Sequence, residues 1–227
     1  MIKLKNLSFS YSSTPPYVIN NISLTVNKGD YISILGDNGS GKSTLIKLIL
    51  KLIEPTKGTI KSDLLKIGYL PQRFENLNTQ FPITVHEMLN CYRKTLKIKD
   101  KNIISKYLDI VRMNDFRNSL IGTLSGGQCQ KIFIARALMG NPELLIMDEP
   151  SEGVDAKSQD EIYSLIKNIN RNNGITVISV EHNLKAAISN STLIYHLKDG
   201  NGHLCSPKEY MKEYMITCTG DECYVAV

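Results

Sequence analysis

The segment Gly36-Asp37-Asn38-Gly39-Ser40-Gly41-Lys42-Ser43-Thr44 sets three glycines, three hydroxyls and a lysine within nine residues. Its spacing is G-x-x-x-x-G-K-[ST]. Glycines at those places remove the side chains that would keep consecutive backbone N–H groups from converging on one point. Converging amides at the start of a helix suit the oxygens of a polyphosphate, because the helix end adds partial positive charge. Lys42 can then reach the β- and γ-phosphates, and the Ser43 hydroxyl can ligate Mg²⁺.

Asp148 and Glu149 form a second chemical pair, placed directly after the apolar run Leu144-Leu145-Ile146-Met147. Such a run reads as a central parallel strand, and open α/β sheets bind ligands at the carboxyl ends of their strands. Asp148 is suited to hold the hydration shell of Mg²⁺. Glu149 is suited to polarise an attacking water.

Leu124-Ser125-Gly126-Gly127-Gln128 precedes a helix expected to run to Gly140. Ser125 can cap that helix, whose exposed amides make a second anion site. One nucleotide needs one phosphate loop, so a second phosphate-binding helix end implies the nucleotide of another copy. These residues together predict ATP binding and hydrolysis, with Mg²⁺, at sites shared between two chains.

The flanking segments predict the elements that would hold these groups. Tyr31-Ile32-Ser33-Ile34-Leu35 reads as a buried strand, and Leu45, Leu48, Ile49 and Leu52 recur at helical spacing after the loop. Pro55 and Gly58 close that unit. Residues 67–70 make a short strand ended by Pro71. From about Arg73 to Gly122 glycine disappears, and Met88, Leu89, Leu96, Ile103, Ile104, Leu108 and Val111 alternate with polar residues, which predicts an inserted helical subdomain. Asp155 is placed to cap a helix with the apolar stripe Ile162, Leu165, Ile166 and Ile169, and Asn172-Asn173-Gly174 to turn into a strand over 175–180. The first thirty residues read as an antiparallel lobe. The expected fold is α/β, a P-loop core with a mostly parallel sheet, an N-terminal antiparallel β lobe and the helical insertion. It divides as a single domain over 1–210, with core and lobe in 1–72 and 123–210, the helical part in 73–122 and a tail in 211–227.

With Leu124 to Gln128 lying between the two acid- and glycine-bearing motifs, the chain resembles the ATP-binding subunits of ABC transporters from about Lys3 to Tyr210. The resemblance implies two copies that sandwich two ATP molecules head to tail, and separate integral-membrane permease subunits. It implies that Tyr11 stacks on adenine, a role for which Phe9 and Tyr17 also stand as candidates because Pro15 and Pro16 lengthen the loop. Gln72 resembles the glutamine that senses Mg²⁺ and contacts the permease, and residues 151–155 the loop that crosses the dimer interface. His182 resembles the histidine that contacts the γ-phosphate. Asp37, Cys129 and Glu181 depart from common family residues, and Cys129 places an oxidisable thiol beside the signature helix. Residues 65–72, 81–85, 151–155 and 203–207 are similar to ATPase subunits of zinc and manganese uptake systems, whose full assemblies add a substrate-binding lipoprotein.

The composition bounds the alternatives. The 227 residues carry 27 Lys and Arg against 22 Asp and Glu, a net charge of +5 with scattered lysines, so no nucleic-acid partner is expected. No apolar run approaches the roughly 20 residues of a membrane helix, and the start lacks signal-peptide texture, which predicts a cytoplasmic protein peripheral to the membrane. Five cysteines without a CxxC pair are expected to be reduced thiols, and Cys218 and Cys223 match no zinc spacing. A soluble ABC ATPase acting on nucleic acid or the ribosome, or transport of another cargo in either direction, remains an alternative. A P-loop kinase does not explain residues 124–128, and a GTPase lacks its guanine reader here.

Overall fold

The computed structural model describes residues 1–63, 66–72, 82–215, 217–218 and 223–224. In chain order the elements are β1 (Ile2–Phe9), β2 (Ile19–Val26), β3 (Tyr31–Leu35), α1 (Lys42–Ile49), β4 (Lys57–Ser62), β5 (Ile67–Leu70), α2 (Val85–Thr95) and α3 (Ile103–Ile110). There follow α4 (Gly126–Leu138), β6 (Leu144–Asp148), α5 (Ala156–Asn173), β7 (Thr176–Val180), α6 (Leu184–Asn190), β8 (Leu193–Lys198), β9 (Asn201–Cys205) and α7 (Pro207–Tyr210). A last pair, β10 (Thr217–Cys218) and β11 (Cys223–Tyr224), is antiparallel with Cys218 opposite Cys223. The chain divides into two compact units, one of Met1–Asp63 with Val177–Val227 and one of Leu64–Thr176.

In the first unit, β1 lies between β2 and β4 with both neighbours antiparallel. Ile22, Leu24 and Val26 alternate with exposed residues along β2, the period-two pattern of a half-buried strand. The predicted lobe thus gains a third strand from outside the first thirty residues. Gly58 belongs to that strand and does not close the preceding unit. It sits at a register shift of β1 against β4, where a Cβ would run into the carbonyl oxygens of Lys5 and Asn6. The second sheet of this unit sets β7, β3 and β8 parallel, with β9 antiparallel on β8. β3 and β7 are buried along their whole length, as parallel strands covered on both faces should be. Leu35, Ala187, Ile194, Cys205 and Tyr210 form one core cluster behind this sheet. The helix after the loop is shorter than its apolar spacing predicted: α1 stops at Ile49, and Leu52 is 66 % exposed.

In the second unit β5 and β6 are parallel, in register from Ile67 with Leu144 to Leu70 with Met147. α4 is the central helix, burying Ile132, Phe133, Ile134, Ala135, Ala137 and Leu138. α2 opens on a capping box, with Thr84 accepting from the Glu87 N–H and Glu87 returning a carboxylate to the Thr84 N–H. Such a cap is worth about 1 kcal/mol. α5 buries Ile162, Tyr163, Ile166 and Ile169, leaves Leu165 half-buried, and ends on Gly174 in the left-handed conformation. The expected turn at 172–174 is thus the last turn of the helix and its cap. The start of the predicted helical subdomain at Arg73, and with it residues 73–81, lies outside the described residues. So do Leu65 and Phe81 of the segments similar to metal-uptake subunits, and residues 219–222 of the tail.

Candidate nucleotide site

The predicted residues fall into two sets, one on each unit. The first set begins where β3 ends. Gly36 cannot carry a side chain, because its Cβ would fall on the carbonyl oxygen of Leu197 in β8. Asp37, Asn38 and Gly39 are exposed and form the outer turn of the loop, and Gly41 is the residue before α1. No side chain caps α1 and its first turn holds no acid, a helix start suited to an anion. Lys42 is only 7 % exposed. Its Nζ folds over the loop and donates to the carbonyls of Gly36 at 2.8 Å and Asp37 at 2.9 Å. The Ser40 hydroxyl, in a residue 8 % exposed, has no hydrogen-bond partner among the described residues. A loop of this kind, with an uncapped helix start and a buried Ser40 hydroxyl without a partner among the described residues, fits phosphate oxygens. Ser43 is exposed on the first turn of α1.

Three aromatic residues compete for the base, and the fold separates them. Phe9 is buried within β1. Tyr11 is 66 % exposed, stands edge-on to Phe9 with ring centroids 4.9 Å apart, and brings its hydroxyl within 3.3 Å of Thr44 Oγ1. Tyr17 lines a cavity of about 390 Å³ with Asp37, Asn38, Gly39 and Ser40, and the Lys57 ammonium lies 5.2 Å from its ring centre. His182 follows β7 and is exposed, while its neighbours are fixed. Glu181 is buried, takes the Ser179 hydroxyl on Oε1 and donates its N–H to Ile34 O at 3.0 Å. Asn183 caps α6 by accepting the Ala186 N–H at 3.0 Å.

The second set is on the other unit. Asp148 ends β6 and is 5 % exposed. Burial first, and the Asp148 charge second, push the phenol of Tyr69 above its ordinary range. Glu149 has a left-handed backbone, φ 54°, and its Oε2 accepts a hydrogen bond from Gln72 Nε2 at 2.9 Å. The sequence named Gln72 and Glu149 for different tasks, and the fold joins them directly. Ser125 caps α4 as expected: its Oγ accepts the Gln128 N–H at 3.3 Å, and Gln128 Oε1 accepts the Ser125 N–H at 2.9 Å. The helix ends at Leu138, two residues before the expected Gly140. Gly126 and Gly127 form its first turn. Asp155 caps α5 through the Ser158 N–H at 3.1 Å. Two residues that carried no sequence signal hold the loop before it. The Gln159 amide donates to the carbonyls of Ser151 and Val154, and the Tyr163 hydroxyl pairs with Ser151 Oγ at 2.7 Å.

Cys129 is half-buried, and desolvation pushes its thiol above the ordinary range. A thiol so placed is a poor nucleophile, which argues against the oxidisable role that its position suggested. Among the described residues no group of three or more His, Cys, Asp or Glu could hold a metal ion, and no helix is long and apolar enough to cross a membrane.

Residues 19–152 match the family model described as ABC transporter. The "Probable metal transport system ATP-binding protein" of Treponema pallidum is 47 % identical over 94 % of this chain and 90 % of its own length. The zinc import ATP-binding protein ZnuC of Rickettsia bellii is 41 % identical over 90 % of this chain and 84 % of its own. An ATP-binding cassette solved as a dimer in a post-hydrolysis state with ADP and Pi superposes with a TM-score of 0.76 at 30 % identity, covering 91 % of this chain and 99 % of that one. The chain belongs to the ABC transporter family, as one of its ATP-binding, ATP-hydrolysing subunits.

Proposed function

We propose that this subunit powers uptake of a divalent transition metal, zinc or manganese, through separate integral-membrane permease subunits. The observation that carries the cargo is the 47 % identity, over 94 % of the chain, to a subunit named for metal transport. On this reading the protein sits at the inner face of the membrane through its permease, and a substrate-binding lipoprotein delivers the metal outside. Residues 1–210 act as one ATPase domain, with 73–122 as its helical part.

Two copies close head to tail on two ATP molecules. Gly36 to Thr44 cradle the phosphates of one, Tyr11 stacks on its adenine, and the partner's residues at 125–128 and 155 complete the site. Tyr11 is preferred to Tyr17 for the contact of its hydroxyl with Thr44, on the helix that starts at the phosphate loop. Glu149 polarises the water for in-line attack on the γ-phosphorus. Lys42 and His182 stabilise the charge that grows on the equatorial oxygens. Ser43, Asp148 and Gln72 offer an all-oxygen donor set, which fits a hard cation. Mg²⁺ held there would supply neutralisation of the phosphate charge. The hydrogen bond from Gln72 gives the hydrolytic carboxylate a direct link to the segment assigned to the permease.

Glu149→Gln is the test of this reading. The variant should bind ATP, cease to turn over and elute as a dimer with ATP and Mg²⁺. A variant that binds ATP yet stays monomeric would overturn the sandwich. In cells, loss of the gene should lower zinc or manganese accumulation, and unchanged accumulation of both metals would exclude the cargo.

A further inference from the structure

A methyl group has no room at Gly127. An ideal Cβ there would stand 2.6 Å from Ser158 Cβ, 2.7 Å from Ser158 Oγ and 3.3 Å from Val154 Cγ1. One residue earlier, a Cβ on Gly126 would lie 3.3 Å from the carbonyl oxygen of Gly153. The first turn of α4 therefore lies directly against residues 153–158, within one unit. Ser158 occupies the centre of this contact. Its N–H donates to Asp155 Oδ1 at 3.1 Å, and the Ser158 side chain first, with that N–H second, holds the carboxyl below its usual range. About one turn further along both helices, Lys131 Nζ bonds Glu161 Oε2 at 2.5 Å. The two helices are thus fixed at a second point.

We propose that Ser158 is a positioning residue that locks residues 124–128 to residues 151–155, so that Ser125, Gly127 and Asp155 meet the second copy as one rigid element. The proposal rests on the dimeric reading above. On this account residue 127 is glycine because Ser158 fills the space a side chain needs. Approach of a phosphate to the backbone would be a separate demand for the same residue. The two demands make different predictions. Only the first can be relieved by removing atoms from residue 158.

The experiment is a cycle of Gly127→Ala, Ser158→Gly, Ser158→Ala and the two doubles, measured on the purified full chain. The readouts are kcat and KM for Mg·ATP, affinity for a fluorescent ATP analogue, and melting temperature. Gly127→Ala should lose roughly 100-fold in kcat, the scale of a misplacement near 1 Å. Its affinity for the analogue should stay unchanged, because the phosphate loop belongs to the other unit. Ser158→Gly alone should lose several-fold, since it removes the side chain packed at this contact and puts a glycine in the first turn of α5. Joined to Gly127→Ala it should restore most of the lost turnover, while Ser158→Ala, which keeps the Cβ, should not. If Gly127→Ala folds poorly, the same pattern is read in melting temperature. An equal loss with and without the Ser158→Gly change overturns the proposal. The Glu149→Gln dimer assay separates that failure from failure of the sandwich. A trapped dimer without rescue removes the role of Ser158, and no trapped dimer removes the reading beneath it.

Discussion

Glu149 carries the side chain assigned to hydrolysis on a backbone that side chains disfavour. Its φ of 54° is left-handed, and an L-residue pays roughly 1–2 kcal/mol to stand there. Pro150 follows and disfavours the right-handed helical conformation at Glu149. Glu149→Ala and Glu149→Gly both remove the carboxylate and the hydrogen bond from Gln72. Their difference isolates the backbone. Glycine recovers about 1–2 kcal/mol of strain and loses about 0.5–1 kcal/mol in chain entropy, which leaves the glycine variant ahead by roughly 1 kcal/mol or slightly less. For a chain of this length, about 1 kcal/mol moves the melting temperature by roughly 2–4 °C. Calorimetric melts without nucleotide should therefore place Glu149→Gly above Glu149→Ala by roughly that margin, while neither variant hydrolyses ATP. Equal melting temperatures, or alanine the higher, would refute the claim that this position stores strain.

Two further expectations concern titrating groups. The imidazoles of His86 and His196 are both held below the usual range by burial. Arg117 and, more weakly, Arg93 reinforce the effect at His86 against Glu87, while Lys198 and His203 reinforce it at His196 against Asp37. The unfolded chain then takes up these protons first as pH falls. The stabilisation is full above about 6.5 and is lost as pH drops below it. Melting temperature should fall between pH 7.5 and 5.5, and a rise over that interval would show the sign to be wrong. For the thiols, burial raises Cys129, and raises Cys205 to about 11. Both should alkylate with iodoacetamide at neutral pH far more slowly than exposed Cys91. Mass spectrometry of the labelled chain checks this, and faster labelling of Cys129 than of Cys91 would restore the case for a reactive thiol beside α4.

The sequence by itself determined the phosphate loop, the acidic pair and the second helix start, because each is a run of neighbouring residues whose chemistry depends on local geometry. Consecutive amides, a cap three residues from its target and a strand ending in acids are all properties of short segments. The α/β class followed from the same local patterns, as did the caps by Ser125 and Asp155. Where the spacing failed, the reason was packing. Leu52 kept the helical period but lies past the end of α1, exposed, and residues 57–62 became a strand only because β1 offered an edge for them. That Phe9 is buried in β1 and that the Tyr11 hydroxyl reaches Thr44 are likewise facts of packing that no spacing shows. The bond between Gln72 and Glu149 spans 77 positions, and nothing in either neighbourhood specifies it. The same holds for Ser158 under Gly127. A steric vacancy is made by atoms brought from elsewhere in the chain, so spacing could name the glycine and only the tertiary structure could say what fills the place of its side chain.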